Sequence, residues 1–188
     1  MSQVTILIDP GHGGKDPGAV KGGIKEKELN LYISCILKGV FHYMYPAVKV
    51  LMTRYDDVYL SLKQRVDMAY EHNVDLLLSV HCNAGGGRGF ESYIGEGTSY
   101  LSACVQGNIH QRLKKYIPEY GIVDRGPKKG DFYVISRFPN SVLLELGFID
   151  NWHDLNYLGN PAAIADICHA VVLGCADAFQ EYRNSNKV

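Results

Sequence analysis

The sequence predicts a single-domain α/β protein with a twisted, mostly parallel (mixed) β-sheet flanked by helices on both faces. Residues 4–8 and 74–80 form apolar runs of the kind found in strands that are buried on both sides. At 26–40, apolar residues recur three and four positions apart, which is typical of an amphipathic helix with one buried face. Strands and helices that alternate in this way along a chain are typical of a parallel sheet.

The other elements are predicted from local patterns and from turn-forming residues. The predicted strands are at 48–52, 90–94, 132–136 and 141–145. The predicted helices are at 60–72, at 98–117 before Pro118, and at 161–182, where a proline suits the first turn. Glycine, proline and charged residues at 120–130 predict a loop.

Composition and charge exclude several classes of protein. Of the 188 residues, 46% are hydrophobic and 21% are charged, which is ordinary for a globular chain and excludes a disordered or fibrous one. The 19 basic and 20 acidic side chains nearly cancel, so we expect no nucleic acid partner. No uninterrupted apolar run approaches the roughly 18 residues of a membrane span, so we expect no stable membrane insertion. We assign 1–183 to one domain and 184–188 to a polar tail or linker remnant.

The start of the chain and its cysteines bear on the cellular compartment. The first residues carry no basic leader or cleavage site, and Asp9 and Pro10 interrupt the apolar run, so we expect no signal peptide in this sequence. The five cysteines are odd in number and scattered, without a C-x-x-C pair. They are therefore interpreted as reduced thiols, mostly buried, in a chain that folds in a reducing compartment.

Residues able to perform chemistry recur at the predicted strand ends. His12 follows the first strand, His81 closes the strand at 74–80, and Glu145 closes the strand at 141–145. Glu26 begins the helix that emerges at the same edge, where α/β sheets bind ligands. Two imidazoles and one carboxylate (His12, Glu26 and His81) suit a catalytic zinc with an open fourth position for water. Their long spacing leaves purely structural histidines as the alternative.

Six blocks of sequence, in order, resemble one enzyme family over residues 4 to about 180. The family is that of the zinc-dependent N-acetylmuramoyl-L-alanine amidases of the amidase-3 type. The blocks are Ile6–Ala19, which contains Asp9-Pro10-Gly11-His12-Gly13-Gly14; Lys25–Leu31; Thr53-Arg54 with Leu62 and Arg65; Ser79–Ala84; Arg125-Gly126 with Asp131–Ile135; and Ser141–Asn151.

The resemblance implies both the site and the reaction. His12, Glu26 and His81 would hold one Zn²⁺ per chain, and Glu145 would be the catalytic carboxylate. The reaction would be hydrolysis, by zinc-activated water, of the amide between the lactyl group of N-acetylmuramic acid and L-alanine of the stem peptide. The substrate would be bacterial peptidoglycan, and 1–183 would be the zinc amidase catalytic domain.

Several assignments near the site keep alternatives. Glu28 competes with Glu26 for the metal, although the block alignment favours Glu26. Glu91 and Asn83 are candidate substrate-binding residues, with a structural hydrogen bond as the alternative for Glu91. Cys82 follows His81 directly, and adjacent residues on a strand point to opposite faces, so we expect its thiol to be buried behind the site.

Rival interpretations of the function remain open from sequence alone. One is a zinc peptidase that cuts within the stem peptide, because zinc, water and glutamate would serve either amide. Another is a non-catalytic wall-binding domain, which predicts a broken site. For localisation, we expect synthesis in the cytoplasm and action on the cell wall. This suits a phage or prophage endolysin released through a membrane lesion, and a bacterial autolysin or spore enzyme with an absent leader is the alternative.

Overall fold

The fold was analysed in a computed structural model that describes residues 3–185. Within this part of the chain, strands and helices alternate as the sequence predicts. In chain order the strands are β1 (Thr5–Pro10), β2 (Val20–Lys21), β3 (Ile24–Lys25), β4 (Lys49–Met52), β5 (Leu76–Asn83), β6 (Phe90–Ile94), β7 (Asp124–Lys129) and β8 (Ser141–Phe148). The helices are α1 (Glu26–Met44), α2 (Leu62–Glu71), α3 (Tyr100–Leu113), α4 (Ile117–Tyr120), α5 (Tyr133–Arg137), α6 (Trp152–Leu158) and α7 (Pro161–Ser185).

Six of these strands form the central sheet, in the order β4-β1-β5-β8-β6-β7. All neighbours are parallel except β6 and β8, which are antiparallel. The predicted mixed, mostly parallel α/β sheet is therefore confirmed. The parallel strands β1, β5 and β8 end at the same edge, which brings the residues at their carboxyl ends together.

The two faces of the sheet are covered unequally. Even-numbered side chains such as Ile6 and Leu78 join the large hydrophobic core that α1, α3 and α7 complete. Odd-numbered side chains such as Leu7 and Leu77 pack instead against α2 and α5, in a second, smaller cluster. The helices that cover this face are short, with 10 residues in α2 and 5 in α5.

Two elements differ from the sequence prediction. The predicted loop at 120–130 contains β7, an edge strand parallel to β6 whose residues alternate between half-buried and exposed. Its sequence Asp-Arg-Gly-Pro-Lys-Lys lacks strand-forming residues, but an edge strand tolerates proline and charge. The predicted strand at 132–136 is instead the short helix α5, in which Val134 and Ile135 turn inward while Tyr133 is exposed. Short apolar runs do not distinguish the two states by periodicity.

Element boundaries also moved. The helix predicted to reach residue 117 ends at Leu113, and Pro118 lies inside the separate short helix α4. The strands β5 and β8 continue to Asn83 and Phe148, so His81 and Glu145 lie within strands rather than at their ends. The hairpin β2–β3 and the helix α6 were not predicted.

The last helix is long and apolar enough to cross a membrane by length and composition alone. An 18-residue window within Pro161–Ser185 has a mean hydropathy of 1.6, and 56% of that window is buried in this fold. This burial, against α3 and α1, accounts for the apolar composition. The helix extends three residues beyond its predicted end and past the predicted domain boundary at 183. That boundary stays a prediction, and residues 186–188 of the predicted tail lie outside the described residues.

The five cysteines are free thiols. Cys35 is exposed and the other four are buried, as expected for small apolar side chains in a core.

Candidate active site

The loop after β1 holds its backbone in an unusual conformation. His12 has a φ of 61°, a left-handed value that is uncommon for a residue with a side chain. Two buried arginines bind the carbonyl groups of this loop. Arg54 donates to Pro10 O at 3.0 Å and to Gly11 O at 3.0 Å, and Arg65 donates to Pro10 O at 2.8 Å and to His12 O at 2.7 Å. These four hydrogen bonds hold the loop, and His12 within it, in its strained conformation.

A buried carboxylate balances the charge of these arginines. Asp9 is 1% exposed and accepts hydrogen bonds from Arg65 Nη1 at 2.6 Å, Thr53 Oγ1 at 2.7 Å and Ser79 Oγ at 3.0 Å. Burial lowers the pKa of Arg54, and the nearby charge of Arg65 lowers it further. Asp9 therefore stabilises a cluster whose two guanidinium groups would otherwise repel each other in a dry environment.

The first residue of α1 lies between the two histidines. Glu26 Oε2 is 3.1 Å from His12 Nε2, and Glu26 Oε1 is 3.0 Å from His81 Nδ1. The two imidazole rings meet edge to face, with centroids 5.0 Å apart and an interplanar angle of 82°. His12 is 14 positions before Glu26 and His81 is 55 positions after it. The carboxyl ends of β1 and β5 and the start of α1 bring the three residues together.

Further donors fix the Glu26 carboxylate. Oε1 also accepts from Asn30 Nδ2 at 3.1 Å and from the backbone N–H of Cys82 at 3.2 Å, and Oε2 accepts from the N–H of Ala19 at 3.0 Å. Burial alone would raise the pKa of Glu26, but hydrogen bonds from both histidines outweigh it and hold the pKa far below its ordinary value. Burial also lowers the pKa of His12, yet the hydrogen bond and charge of Glu26 raise it to about 9.

Neighbouring residues orient both imidazoles. Asp16 Oδ2 lies 2.9 Å from His12 Nδ1, which turns Nε2 of that ring toward Glu26. A carboxylate in this position fixes the tautomer of a ligating histidine. Gly11 and Gly18 leave room for the rings, because a Cβ atom on Gly11 would overlap His81 and one on Gly18 would overlap Glu26 and His12.

The three residues fit a zinc ion. Their ligand atoms all lie within 4.8 Å of one another, and among the described residues no other group of three or more histidine, cysteine or acidic side chains converges in this way. Two imidazole nitrogens and one carboxylate oxygen form a known catalytic zinc set that leaves a coordination position open. The side chains of His12 and His81 are 25% and 19% exposed, so this position faces solvent.

Of the two glutamates that competed from sequence, only Glu26 lies at the histidines. Glu28 pairs with Lys25 at 3.3 Å, and its side chain is 58% exposed. Residues two apart on a helix point to different sides, so Glu26 and Glu28 cannot both face the histidines. The orientation of α1 places Glu26 on the side of the histidines and Glu28 in solvent.

Glu145 stands beside the histidines on the same face of the sheet. It is the register partner of His81 in the parallel pair β5–β8 and of Glu91 in the antiparallel pair β6–β8. Its Oε2 atom is buried and has no hydrogen-bond partner among residues 3–185. Burial raises the pKa of Glu145 to about 7. A carboxyl group with this pKa can both accept and release a proton near neutral pH.

The candidate substrate residues Glu91 and Asn83 belong to a hydrogen-bonded cluster. Glu91 is buried and accepts from Asn83 Nδ2 and Tyr93 OH at 2.9 Å each, and from Arg125 Nε and Lys128 Nζ at 2.5 Å each. Burial raises the pKa of Glu91, but the hydrogen bonds from Lys128 and Arg125 outweigh it and lower the pKa. The structural hydrogen bond expected as the alternative for Glu91 is present, and substrate contact by Glu91 or Asn83 stays a prediction.

Cys82 lies where the alternation of β5 predicts. Its side chain is 1% exposed within the large core, on the opposite face from His81, and burial raises the pKa of its thiol well above the ordinary value. The thiol is therefore separated from the candidate metal ligands, although the N–H of the same residue binds Glu26.

Sequence reasoning did not give roles to several residues that shape the site. The sequence places Arg54 and Arg65 in a resembling block without a role for either, and it assigns no role to Asp16 or Lys128. The position of Asp16 in a glycine-rich turn, four residues after His12, was a usable signal. Lys128 gave none, because its strand was predicted to be a loop.

Cavities of different size lie at the two ends of the sheet. A small cavity of about 90 Å³ adjoins His12 and His81. The larger cavity, of about 870 Å³, is mainly apolar and lies at the opposite end of the sheet, where Val4 and Phe41 face the end of α7. The candidate metal centre therefore borders the small cavity and not the large one.

Comparisons with known proteins agree on one family. Residues 6–177 match a family model described as N-acetylmuramoyl-L-alanine amidase. The chain is 38% identical over 185 residues to a sporulation-specific N-acetylmuramoyl-L-alanine amidase of Bacillus subtilis, covering 97% of this chain and 71% of that protein. It is also 38% identical to an endolysin of Bacillus phage SPP1, over 96% of this chain and 68% of that one.

A solved structure shares the fold. The catalytic domain of CwlV, an N-acetylmuramoyl-L-alanine amidase from Bacillus (Paenibacillus) polymyxa var. colistinus, superposes with a TM-score of 0.78 at 32% identity. The similarity covers 96% of this chain and 98% of that domain.

Proposed function

Because this chain belongs to the N-acetylmuramoyl-L-alanine amidase family, we propose that it cleaves the amide between the lactyl group of N-acetylmuramic acid and L-alanine in bacterial peptidoglycan. The observation that carries this proposal is the convergence of His12, Glu26 and His81 beside the unpartnered carboxylate of Glu145. All four chemical groups expected of a metal-assisted hydrolase are present, which argues against a non-catalytic wall-binding domain.

We further propose that His12, Glu26 and His81 hold one Zn²⁺ per chain. When bound, this ion supplies Lewis acidity, which polarises an amide carbonyl and lowers the pKa of a water molecule. Asp16 and the N–H groups of Ala19 and Cys82 keep the ligand atoms in place for it.

Glu145 moves the proton in this proposal. Its carboxylate accepts a proton from the attacking water and delivers it to the alanine nitrogen as the carbon–nitrogen bond breaks. The products are a free lactyl carboxylate on the glycan and a free amino group on the peptide. The unpartnered Oε2 atom and the pKa of about 7 suit this exchange, because the carboxyl group is not committed to another hydrogen bond.

The proposed place of action is the bacterial cell wall, where this amide occurs. The relatives include a phage endolysin and a sporulation-specific amidase, so both a lytic and a developmental role are compatible with the same catalytic site.

The reaction is tested by mass spectrometry of purified peptidoglycan digested with the zinc-loaded protein. We expect stem peptides with a free alanine amine and muramic acid with a free lactyl carboxylate. Removal of metal with a chelator should abolish both products, and added Zn²⁺ should restore them. Cuts inside the peptide would instead identify a zinc peptidase, and zinc binding without any cut would identify a wall-binding domain.

The two neighbouring glutamates of α1 provide a matched test of the ligand set. Glu26→Gln should weaken Zn²⁺ binding more than about 100-fold, because even outer-shell partners of a ligand cost 10- to 100-fold. Glu28→Gln removes the same charge two residues away and should bind Zn²⁺ as the unmodified protein does. Calorimetric titration with Zn²⁺ measures both. Equal affinities for the two variants would refute the assignment of Glu26.

A further inference from the structure

Two cations converge beside Glu145 because of an irregularity in the sheet edge. Residues three apart on a regular strand point to opposite faces. Between Phe90 and Ser92 the register of β6 and β7 shifts, so that β7 contains one additional residue. As a result, Arg125 and Lys128 both reach the same oxygen of Glu91. Bulges that redirect side chains in this way are found preferentially next to active sites.

Glu91 has no capacity left for a ligand. Its Oε1 accepts two hydrogen bonds, from Asn83 and Tyr93, and its Oε2 accepts two more, from Arg125 and Lys128. Two bonds per oxygen match the acceptor capacity of a carboxylate. We therefore assign Glu91 the role of holding the cations rather than that of touching substrate.

The cations, in contrast, keep donors available. Within the described chain, the guanidinium of Arg125 donates only through Nε, and the ammonium of Lys128 donates only one of its three protons. Their side chains are 35% and 34% exposed. Arg125 also stacks 5.0 Å above the ring of Phe148, which restricts its movement. Two positive charges therefore share one oxygen of a single carboxylate.

The position of this pair relative to Glu145 suggests which part of the substrate it meets. Across the open face the order is His81, Glu145 and Glu91, each the register partner of the next. In the proposed reaction Glu145 protonates the departing alanine amine, so the peptide lies on its side of the site. The glycan offers no carboxylate, because the lactyl carboxyl group is consumed in the amide. The peptide does, at the γ-linked glutamate that follows alanine.

We propose that Arg125 and Lys128 form a subsite that binds a carboxylate of the stem peptide next to the cleaved alanine. This inference rests on the proposed amidase function and adds a preference to it. A free α-carboxylate on that glutamate offers the two cations a negative charge and two acceptor oxygens, whereas the amidated form offers one neutral acceptor oxygen and an NH₂ group that can only donate.

Two substrates that differ only at this group test the subsite. They are N-acetylmuramoyl-L-alanyl-γ-D-glutamyl-L-lysine and its counterpart with an α-carboxamide on the glutamyl residue. The zinc-loaded protein should cleave the acid with a kcat/KM about 10- to 100-fold higher, as expected for hydrogen bonds to a charged group. Arg125→Gln and Lys128→Gln should each reduce this ratio, and together they should bring it near one.

The neighbouring Lys129 provides the matched control. It lies on the same strand but pairs with Glu96 at 3.4 Å, and its side chain is 60% exposed. Lys129→Gln should keep the full preference for the acid. If Arg125→Gln and Lys128→Gln instead lower cleavage of both substrates equally, the cations act only on structure and the subsite is refuted. Equal cleavage of both substrates by the unmodified protein refutes it without any variant.

A binding measurement separates the subsite from the reaction itself. Equilibrium binding of the same two compounds to zinc-loaded Glu145→Gln requires no turnover. The Glu145→Gln protein should bind the acid more tightly than the carboxamide. If this preference disappears when Arg125→Gln and Lys128→Gln are added to the same protein, the subsite is supported, even if product analysis contradicts the amidase reaction. Equal affinity for both compounds overturns the subsite, even if product analysis supports that reaction.

Discussion

Replacement of Glu145 by glutamine is expected to lower the rate of peptidoglycan hydrolysis by about 10²- to 10⁴-fold, the usual contribution of a general acid–base group. Glutamine has nearly the same shape but cannot accept the proton of the attacking water. Zinc content should be unchanged, because Glu145 is not among the three converging ligands. Release of soluble peptides from peptidoglycan and metal analysis of the purified variant measure the two effects.

The same substitution should stabilise the metal-free protein at alkaline pH. Burial raises the pKa of Glu145 from 4.5 to about 7, so the folded state binds a proton more tightly than the unfolded state does. The stability that this proton confers is complete below about pH 4.5 and is lost as the pH rises through 7, a difference of about 3 kcal/mol. Glutamine does not titrate. At pH 8 the Glu145→Gln protein should therefore unfold at a higher urea concentration than the unmodified protein, whereas at pH 4.5 the two should unfold at similar concentrations.

These two measurements distinguish catalysis from structure. A variant that loses activity and also loses stability at pH 8 would indicate that the Glu145 carboxylate has structural partners. A variant that loses zinc together with activity would make Glu145 a ligand rather than a proton carrier. Glu96→Gln, which removes an exposed carboxylate in the turn after β6, should change neither activity nor the pH dependence of stability.

The buried strands of the sheet were predictable because strands buried on both faces have continuous apolar sequences. The apolar runs in β1 and β5 and the periodic pattern of α1 have few alternative explanations, and the structure confirms all three elements. The edge strand β7 was not predictable in this way, because its ladder bonds need only backbone groups and none of its residues is fully buried. The helix α5 was misassigned because five apolar and polar residues are too few to show a period.

The residues of the candidate site also fall into a predictable and an unpredictable group. His12, His81 and Glu145 could be selected because titratable side chains that follow apolar runs have few structural reasons to be there. The surroundings depend on register and burial, which no local pattern shows. The bulge that aligns Arg125 with Lys128 exists only between paired strands. Arg54 looks like a surface residue in sequence, yet it is 2% exposed and donates hydrogen bonds to four backbone carbonyls.

Replacement of Asp9 by alanine is expected to be the most destabilising single change near the site, at about 3–5 kcal/mol. Asp9 is the charge partner of Arg65, and both side chains are at most 3% exposed, so the substitution leaves a buried guanidinium without compensation beside Arg54. Urea unfolding of the metal-free protein measures this loss.

Asp67→Ala serves as the control for Asp9→Ala, because it breaks the exposed pair with Lys63 and should change stability little. The Asp9 variant should also bind Zn²⁺ more weakly. Without Asp9, Arg65 no longer holds the backbone carbonyl of His12 in place. The left-handed backbone at His12 can then relax, which moves its imidazole away from Glu26. Equal stability losses for the two aspartates would show that the arginine cluster is satisfied by backbone carbonyls alone. A large loss of stability with unchanged zinc affinity would show that the loop after β1 keeps His12 in place without Arg65.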